Sequence, residues 1–218
     1  MVLAASPIVP PPLGPRRQAA TEAKRERILE AARQVFEAEG LEAASLRGIA
    51  AAAGYTPAAL YFHFDSKEAL YAEVLFASIA RLAHAISEAA SEAAEPVARL
   101  SAATLAFFDF YAENPRDLDL GFYLFRGGMR PKGVGRERDK GLNAALAAAL
   151  APIGEAARAL GAGEAAASLT VADLFAHATG LLLLAHTGRI RMFGASAREL
   201  MIEAVARQAA MLAEGEEG

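Results

Sequence analysis

Two short amphipathic stretches on either side of one glycine constrain this chain more than any other feature of its sequence. Ser45 precedes the apolar positions of Leu46–Ala53 and is well placed to cap a helix there. Gly54 follows, and glycine permits a sharp turn because it tolerates left-handed backbone angles. Thr56 and Pro57 then open another helix, since threonine caps and proline fits the first helical position. The spacing predicts two short helices joined by a tight turn, the second ending near residue 63.

A longer helix precedes this pair and another follows it. Apolar residues at helical spacing predict a first helix from about Thr21 to Glu39, with Gly40 suited to its C-terminal end. The run Asp65–Glu68 is similar to a capping box and predicts a helix that continues to about Ala90. A long helix that supports two short ones is the plan of a helix-turn-helix, whose second short helix lies in the DNA major groove.

The rest of the chain also has a helical pattern. Apolar residues make up 54% of the sequence, many of them alanine, the strongest helix former, and alternating runs of strand length are missing. We predict an all-α fold with about nine helices, in which a helix-turn-helix domain is followed by a larger helical domain. The predicted domains are a disordered arm at 1–20, a DNA-binding domain at 21–66, and a larger domain at 67–218. The predicted later helices lie near 97–113, 116–126, 136–160, 164–187 and 196–213, with a loop at 126–135.

Several classes of chemistry lack the residues that they need. The chain has no cysteine, which excludes disulfides, thiolate zinc sites and cysteine nucleophiles. Its four histidines are scattered, and its glycine-rich segments lack the ending of a phosphate-binding loop. We therefore expect no catalytic residues, no metal and no cofactor, and hence no enzyme. The apolar run at Leu181–Ala185 is too short to cross a bilayer, so we expect a cytoplasmic protein without a membrane partner.

Charge is distributed unevenly along the chain. The net charge is +1 over residues 1–67 and −5 over residues 68–218. The first part contains a basic cluster, as expected for a segment that approaches DNA. Its members are Arg16, Arg17, Lys24, Arg25 and Arg27.

The segment Ser45–Leu70 resembles the DNA-binding domain of the tetracycline-repressor (TetR) family of bacterial regulators. The similarity lies in a capped helix that ends Ile-Ala-x-x-Ala-Gly, an aromatic pair near His-Phe, and a Ser-Lys-Glu-x-Leu start to the next helix. The sequence similarity is strong over residues 24–75. Over the rest of the chain, only the length and the number and alternation of helices and loops are similar. The segment departs from the family pattern where Ala58 and Ala59 replace a frequent glycine, and where Gly48 replaces a helix former.

Chemistry and resemblance together indicate the DNA contacts. Thr56 and Tyr61 have hydroxyls that can donate to phosphates, His63 has an N–H, and Lys67 adds a positive charge. Arg47 could reach a phosphate or a base edge.

Few side chains of the recognition helix can read bases. The candidates are Tyr55, Thr56, Pro57 and Ala58, with thymine methyls as apolar partners. We therefore expect DNA shape and arginines of the arm to contribute to specificity. Phe62 and Phe64 are expected in the core.

The resemblance implies a ligand chamber and a dimer interface in the larger domain. Aromatic clusters on neighbouring helices favour an apolar pocket, although ordinary core packing explains any single member. The predicted pocket residues are Phe107, Phe108, Tyr111, Phe122, Tyr123, Phe125, Met129, Phe175 and His177. The predicted dimer residues on the last two helices are Leu174, Ala178, Leu181, Leu182, Ala185, Leu200, Ala204, Val205, Gln208 and Met211.

These features lead to a main hypothesis and two alternatives. The main hypothesis is a homodimeric repressor on a palindromic double-stranded operator, released by a small apolar or aromatic effector. One alternative is a constitutive DNA-binding regulator with a filled core and no ligand. The other is a helical interaction protein without a DNA role.

Overall fold

In a computed structural model of the chain, residues 15–121 and 133–214 are described. They form nine α-helices and one short 3-10 helix, and no strand occurs within these two ranges, which confirms the predicted all-α fold. The helices are α1 (Pro15–Ala43), α2 (Leu46–Ala53), α3 (Pro57–Tyr61), α4 (Lys67–Glu92), α5 (Pro96–Glu113), α6 (Pro115–Gly121), α7 (Arg136–Ala159), α8 (Glu164–His186) and α9 (Ala197–Glu214), with the 3-10 helix at Arg189–Phe193.

The chain forms two compact units. The first ends at Leu70 and the second begins at Tyr71, so the boundary falls inside α4. In the first unit, α1 and α3 both pack against α2. Its core side chains are almost completely buried, and they include Ile28, Phe36, Ile49, Leu60 and Leu70. This packing holds the two short helices in place despite their length.

The first helix is longer than its apolar pattern predicts. It begins at Pro15 rather than near Thr21, so residues 15–20, expected in a disordered arm, are helical. Proline suits the first helical position and nothing in the next residues breaks a helix. Gly40 has φ 77°, which ends the straight part of the helix as predicted, and a further turn continues to Ala43. Residues 1–14 lie outside the described ranges.

Two local details differ from the sequence prediction. The Ser66 hydroxyl accepts a hydrogen bond from the Ala69 amide over 3.1 Å, so Ser66 caps α4. Glu68 therefore lies one residue too early for the predicted capping box. The 3-10 helix was not predicted. Gly188 and Gly194, with φ of 71° and 61°, flank it.

In the second unit, α5, α7, α8 and α9 pack around a single core. Its most buried large side chains include Leu100, Phe107, Ile153 and Leu174. Two helices of the chain, α4 and α8, are long and apolar enough to cross a membrane by length and composition alone. In the most apolar 18 residues of each helix, 39% is buried in α4 and 33% in α8. Much of α8 therefore presents apolar side chains outwards.

Candidate nucleic-acid interface

The turn between α2 and α3 has the predicted geometry. Ser45 Oγ accepts a hydrogen bond from the Gly48 amide over 3.1 Å and caps α2. Gly54 adopts φ 73°, and its amide donates to Ala51 O over 3.1 Å. The Tyr55 amide donates to Ala50 O over 2.8 Å. These bonds satisfy the last carbonyls of α2 and turn the chain directly into α3.

Thr56 caps α3 and keeps a proton to donate. Its Oγ1 accepts a hydrogen bond from the Ala59 amide over 3.3 Å. Because a hydroxyl both accepts and donates, its hydrogen stays free for an outside acceptor. Thr56 and Ala58 are exposed and Pro57 is half-buried, while Leu60 holds α3 to the core. Three of the predicted base-reading residues thus share one short, well-anchored segment.

The end of α3 presents two large rings to solvent. Tyr61 is 59% exposed, as its predicted outward role requires, and Phe62 is 85% exposed. The prediction that Phe62 lies in the core was therefore wrong, whereas Phe64 is buried as predicted. Leu60 and Phe64 lie four residues apart and face inward together, which turns the residue midway between them outward. That spacing is the signal that could have identified Phe62.

His63 lies in a cationic environment. Burial lowers its pKa from the ordinary value of 6.5, and the positive charges of Lys24 and Arg25 lower it further. Its ring makes an edge contact with Phe62 at 5.3 Å between centroids. His63 is therefore neutral at pH 7 and has one N–H to donate.

Part of the basic cluster of α1 reaches the helix-turn-helix. The Lys24 ammonium lies 5.0 Å from the centroid of the Tyr55 ring, in a cation–π contact. Tyr55 is half-buried and Arg47, on α2, is exposed. The sequence placed Lys24 and Tyr55 in separate elements and gave no sign of this contact. The fold thus brings cations next to the predicted recognition helix.

The Lys67 ammonium forms hydrogen bonds within the first unit. Its Nζ donates to Glu42 O over 2.8 Å and lies 3.4 Å from Ala44 O. Two of the three ammonium protons therefore point at carbonyls, one in the last turn of α1 and one in the connection to α2. The predicted phosphate-contacting charge also ties the first turn of α4 to this connection.

The second unit gathers some of the predicted pocket residues. Phe107, Phe108 and Tyr111 are buried, and the Phe107 ring lies 5.5 Å from Phe175 and 5.2 Å from Tyr111 between centroids. His177 is half-buried. Four further predicted members lie outside the described residues, namely Phe122, Tyr123, Phe125 and Met129.

Polar groups border these aromatics. Burial raises the pKa of Tyr111 to about 12, and the negative charge of Asp117 adds to the shift. Asp117 is itself buried and pairs with Arg81 at 2.7 Å. Thr104 Oγ1 is buried and has no hydrogen-bond partner in the part of the chain that the structure describes. A buried unpaired hydroxyl is costly, and it can serve an incoming polar group.

Most predicted dimer residues are covered within one chain. Six of them are buried in the core of the second unit: Leu174, Ala178, Leu181, Leu182, Ala204 and Val205. Ala185, Leu200 and Gln208 are half-buried, and Gln208 donates to Thr170 Oγ1 over 3.0 Å. Met211 is exposed. The periodic pattern had identified the inward faces of α8 and α9, while Leu169, Leu183 and Ile202 mark their outward faces.

The N-terminal part of the chain is similar in sequence to known transcriptional regulators. Residues 28–74 match the family described as bacterial regulatory proteins, tetR family. The chain is 39% identical over 87 residues to the transcriptional activator FasR of Mycolicibacterium smegmatis, which is 40% of each protein. It is 44% identical over 52 residues to the transcriptional repressor KstR2 of Rhodococcus jostii, or 24% of this chain and 26% of that protein. The chain thus matches less than half the length of these curated relatives.

The similarity of fold extends further than the similarity of sequence. A bacterial regulatory protein in the tetR family from Rhodococcus RHA1 superimposes with a TM-score of 0.62 at 20% identity. The match covers 87% of this chain and 96% of that one. The helical arrangement beyond the helix-turn-helix is therefore shared as well.

Proposed function

We propose that this chain, whose residues 28–74 match the family of tetR bacterial regulatory proteins, is a member of that family and acts as a cytoplasmic, dimeric repressor released from its operator by a small molecule. The observation that carries this proposal is the capped α2–Gly54–α3 segment, whose outward side chains suit a DNA major groove.

On the DNA side, we propose two kinds of contact. Arg47, Thr56, Tyr61 and His63 donate to phosphates and fix the position of α3, with Lys67 able to offer its remaining proton. The bases are read by Tyr55, Thr56, Pro57 and Ala58, mainly through thymine methyls. The cations of α1 add to the attraction for the polyanion.

On the ligand side, the buried aromatics of α5 and α8 support an apolar or aromatic effector. Phe107, Phe108, Tyr111 and Phe175 supply ring surfaces. The Thr104 hydroxyl, which has no partner among the residues at 15–121 and 133–214, supplies one polar anchor. The remaining predicted pocket residues, including His177, stay in this proposal.

Release follows from linkage between the two sites. The ligand favours a conformation in which the DNA-binding domains of the two copies no longer fit successive major grooves. Ligand binding therefore weakens DNA binding. DNA must then weaken ligand binding by the same factor. The two-fold operator requires two copies, because half-sites one DNA turn apart are about 34–36 Å from each other. We propose α8 and α9 as the helices that join the copies, through their outward faces.

Activation is a second candidate, and one observation favours it. The relative FasR, which shares 39% identity over the matched segment, is named an activator. A reporter gene under the control of the chain's own upstream DNA distinguishes repression from activation. Deleting the protein raises expression from a repressed promoter and lowers it from an activated one.

Gel-shift titration of the upstream DNA tests the main proposal. We expect a specific complex, its loss in a Tyr61→Ala, Arg47→Ala double variant that remains folded, and its release by an aromatic or apolar compound. Failure to bind any upstream DNA would support the interaction-protein alternative. Binding that no compound reverses would support a constitutive regulator.

A further inference from the structure

A side chain of α1 contacts the residue that leads into α3. Lys24 Nζ lies 5.0 Å from the centroid of the Tyr55 ring. Tyr55 stands between the left-handed turn at Gly54 and the helix cap Thr56. Lys24 and Tyr55 are both half-buried, so part of each side chain is covered and part stays accessible to a partner. The contact therefore joins α1 to the start of the predicted recognition helix.

The backbone on both sides of this contact is held in place. Lys24 lies four residues before the completely buried Ile28, and positions four apart share one face of a helix. On the other side, the Tyr55 amide donates to Ala50 O over 2.8 Å. The main freedom left to Tyr55 is the rotation of its side chain among its rotamers. The ammonium of Lys24 favours those rotamers in which the ring stays within reach of the charge.

The positive charge of α1 also acts at the far end of α3. The charges of Lys24 and Arg25 both lower the pKa of His63, which follows the last residue of α3. Lys24 thus influences residues before and after this helix. An ion on the surface of α1 that was remote from α3 would have no such effect.

We propose that Lys24 is a positioning residue for base reading, whose ammonium holds the Tyr55 ring in the orientation in which it meets a base. The inference rests on the proposed function and adds to it a residue of α1 that contributes to the choice of operator. The hydroxyl and the apolar edge of a tyrosine distinguish base edges only in a defined orientation. The ordinary alternative is that Lys24 attracts DNA as a charge and reads nothing.

Competition between operator variants tests the inference. One base pair of the upstream site is replaced in each variant, and the ratio of affinities for the original and the replaced site measures discrimination at that position. Tyr55→Leu first identifies the positions that the ring reads. At these positions we expect Lys24→Met to lower discrimination by about two- to fivefold, the range that corresponds to a surface cation–π contact. Lys24→Arg should retain discrimination, because a guanidinium makes the same contact.

Arg27→Met is the matched control, because Arg27 is an exposed cation three residues further along α1. Loss of this charge should weaken binding to every operator variant by the same factor and leave discrimination unchanged. Circular dichroism verifies that each variant keeps its helical fold. A Lys24→Met protein that behaves like Arg27→Met would overturn the inference, since Lys24 would then act as a charge alone.

A combined variant separates positioning from an independent contact of Lys24 with DNA. If Lys24 acts through Tyr55, then Lys24→Met together with Tyr55→Leu lowers discrimination no further than Tyr55→Leu alone. A further loss in the combined variant would overturn the inference. Specific binding whose discrimination is unchanged in Tyr55→Leu would also overturn it and leave the proposed function standing. A natural chain that binds no upstream DNA would overturn both.

Discussion

At the scale of single residues, the fold uses the charges near the helix-turn-helix in different ways. Backbone carbonyls hold the ammonium of Lys67. Burial and the cations Lys24 and Arg25 keep His63 neutral. One site therefore stabilises a positive charge and the other opposes it.

The lowered pKa of His63 makes stability depend on pH. The folded chain binds the proton less readily than the unfolded chain, whose histidine titrates near 6.5. Stability is then complete above this value and falls as pH drops through it. We expect His63→Gln to reduce the loss of thermal stability between pH 7.5 and 5.5. Equal losses in the two proteins, measured by circular dichroism, would contradict the argument.

Replacing Lys67 by methionine keeps the side-chain stem and removes the ammonium. We expect Lys67→Met to lower the free energy of unfolding by about 1–2 kcal/mol, because two carbonyls lose a charged donor. If the ammonium mainly serves these carbonyls, the slope of log affinity for DNA against log salt stays unchanged. Arg47→Gln, in contrast, should reduce that slope by about 0.9, for the one phosphate that Arg47 is proposed to contact. A smaller slope in Lys67→Met would show that its charge also acts on DNA.

At the scale of elements, local chemistry decides the start and end of the short helices. Ser45, Gly54 and Thr56 could be placed from sequence because each acts on residues within three or four positions. The contact of Lys24 with the Tyr55 ring could not be placed in this way, because it joins residues that are far apart in the sequence. Helix existence was therefore more predictable than helix surroundings.

Gly54 allows the free-energy cost of the left-handed backbone angle in the turn to be measured by itself. A Cβ at this position meets nothing within 4 Å, so the penalty of Gly54→Ala comes from its φ of +73° alone. We expect a loss of roughly 1–2 kcal/mol in chemical unfolding, as left-handed angles cost an alanine. Gly54→Asn should lose less, because asparagine tolerates these angles better. Equal losses would point to a cause other than the backbone angle.

At the scale of the whole molecule, a helix that is apolar on two sides limits what a sequence can reveal. Leu174 and Leu182 face the core of the second unit, whereas Leu169 and Leu183 face outwards, although all four are leucines of one helix. Spacing groups them into faces but does not say which face is inside. The helices proposed to join two copies could be named from sequence, but their outward sides needed the fold.

Thr104 links stability and the proposed ligand response. Thr104→Val replaces a buried hydroxyl, which has no hydrogen-bond partner among the described residues, with a methyl group of similar shape. We expect unfolding to require as much free energy as in the natural chain, or about 1 kcal/mol more. DNA affinity without ligand should stay the same, while release by an effector that bonds this hydroxyl needs a higher concentration. Destabilisation of Thr104→Val would show that the hydroxyl has a partner after all.

The carbonyl contacts of Lys67 also bear on the reactivity of its amine. An acylating reagent must reach the amine nitrogen, and Lys67 Nζ is held by hydrogen bonds to the carbonyls of Glu42 and Ala44, whereas Lys140 is exposed. Labelling of the folded protein should therefore modify Lys67 more slowly than Lys140. Once acetylated, Lys67 has a single neutral N–H and can no longer hold both carbonyls. Slow labelling at this lysine thus reports an intact connection between α1 and α2.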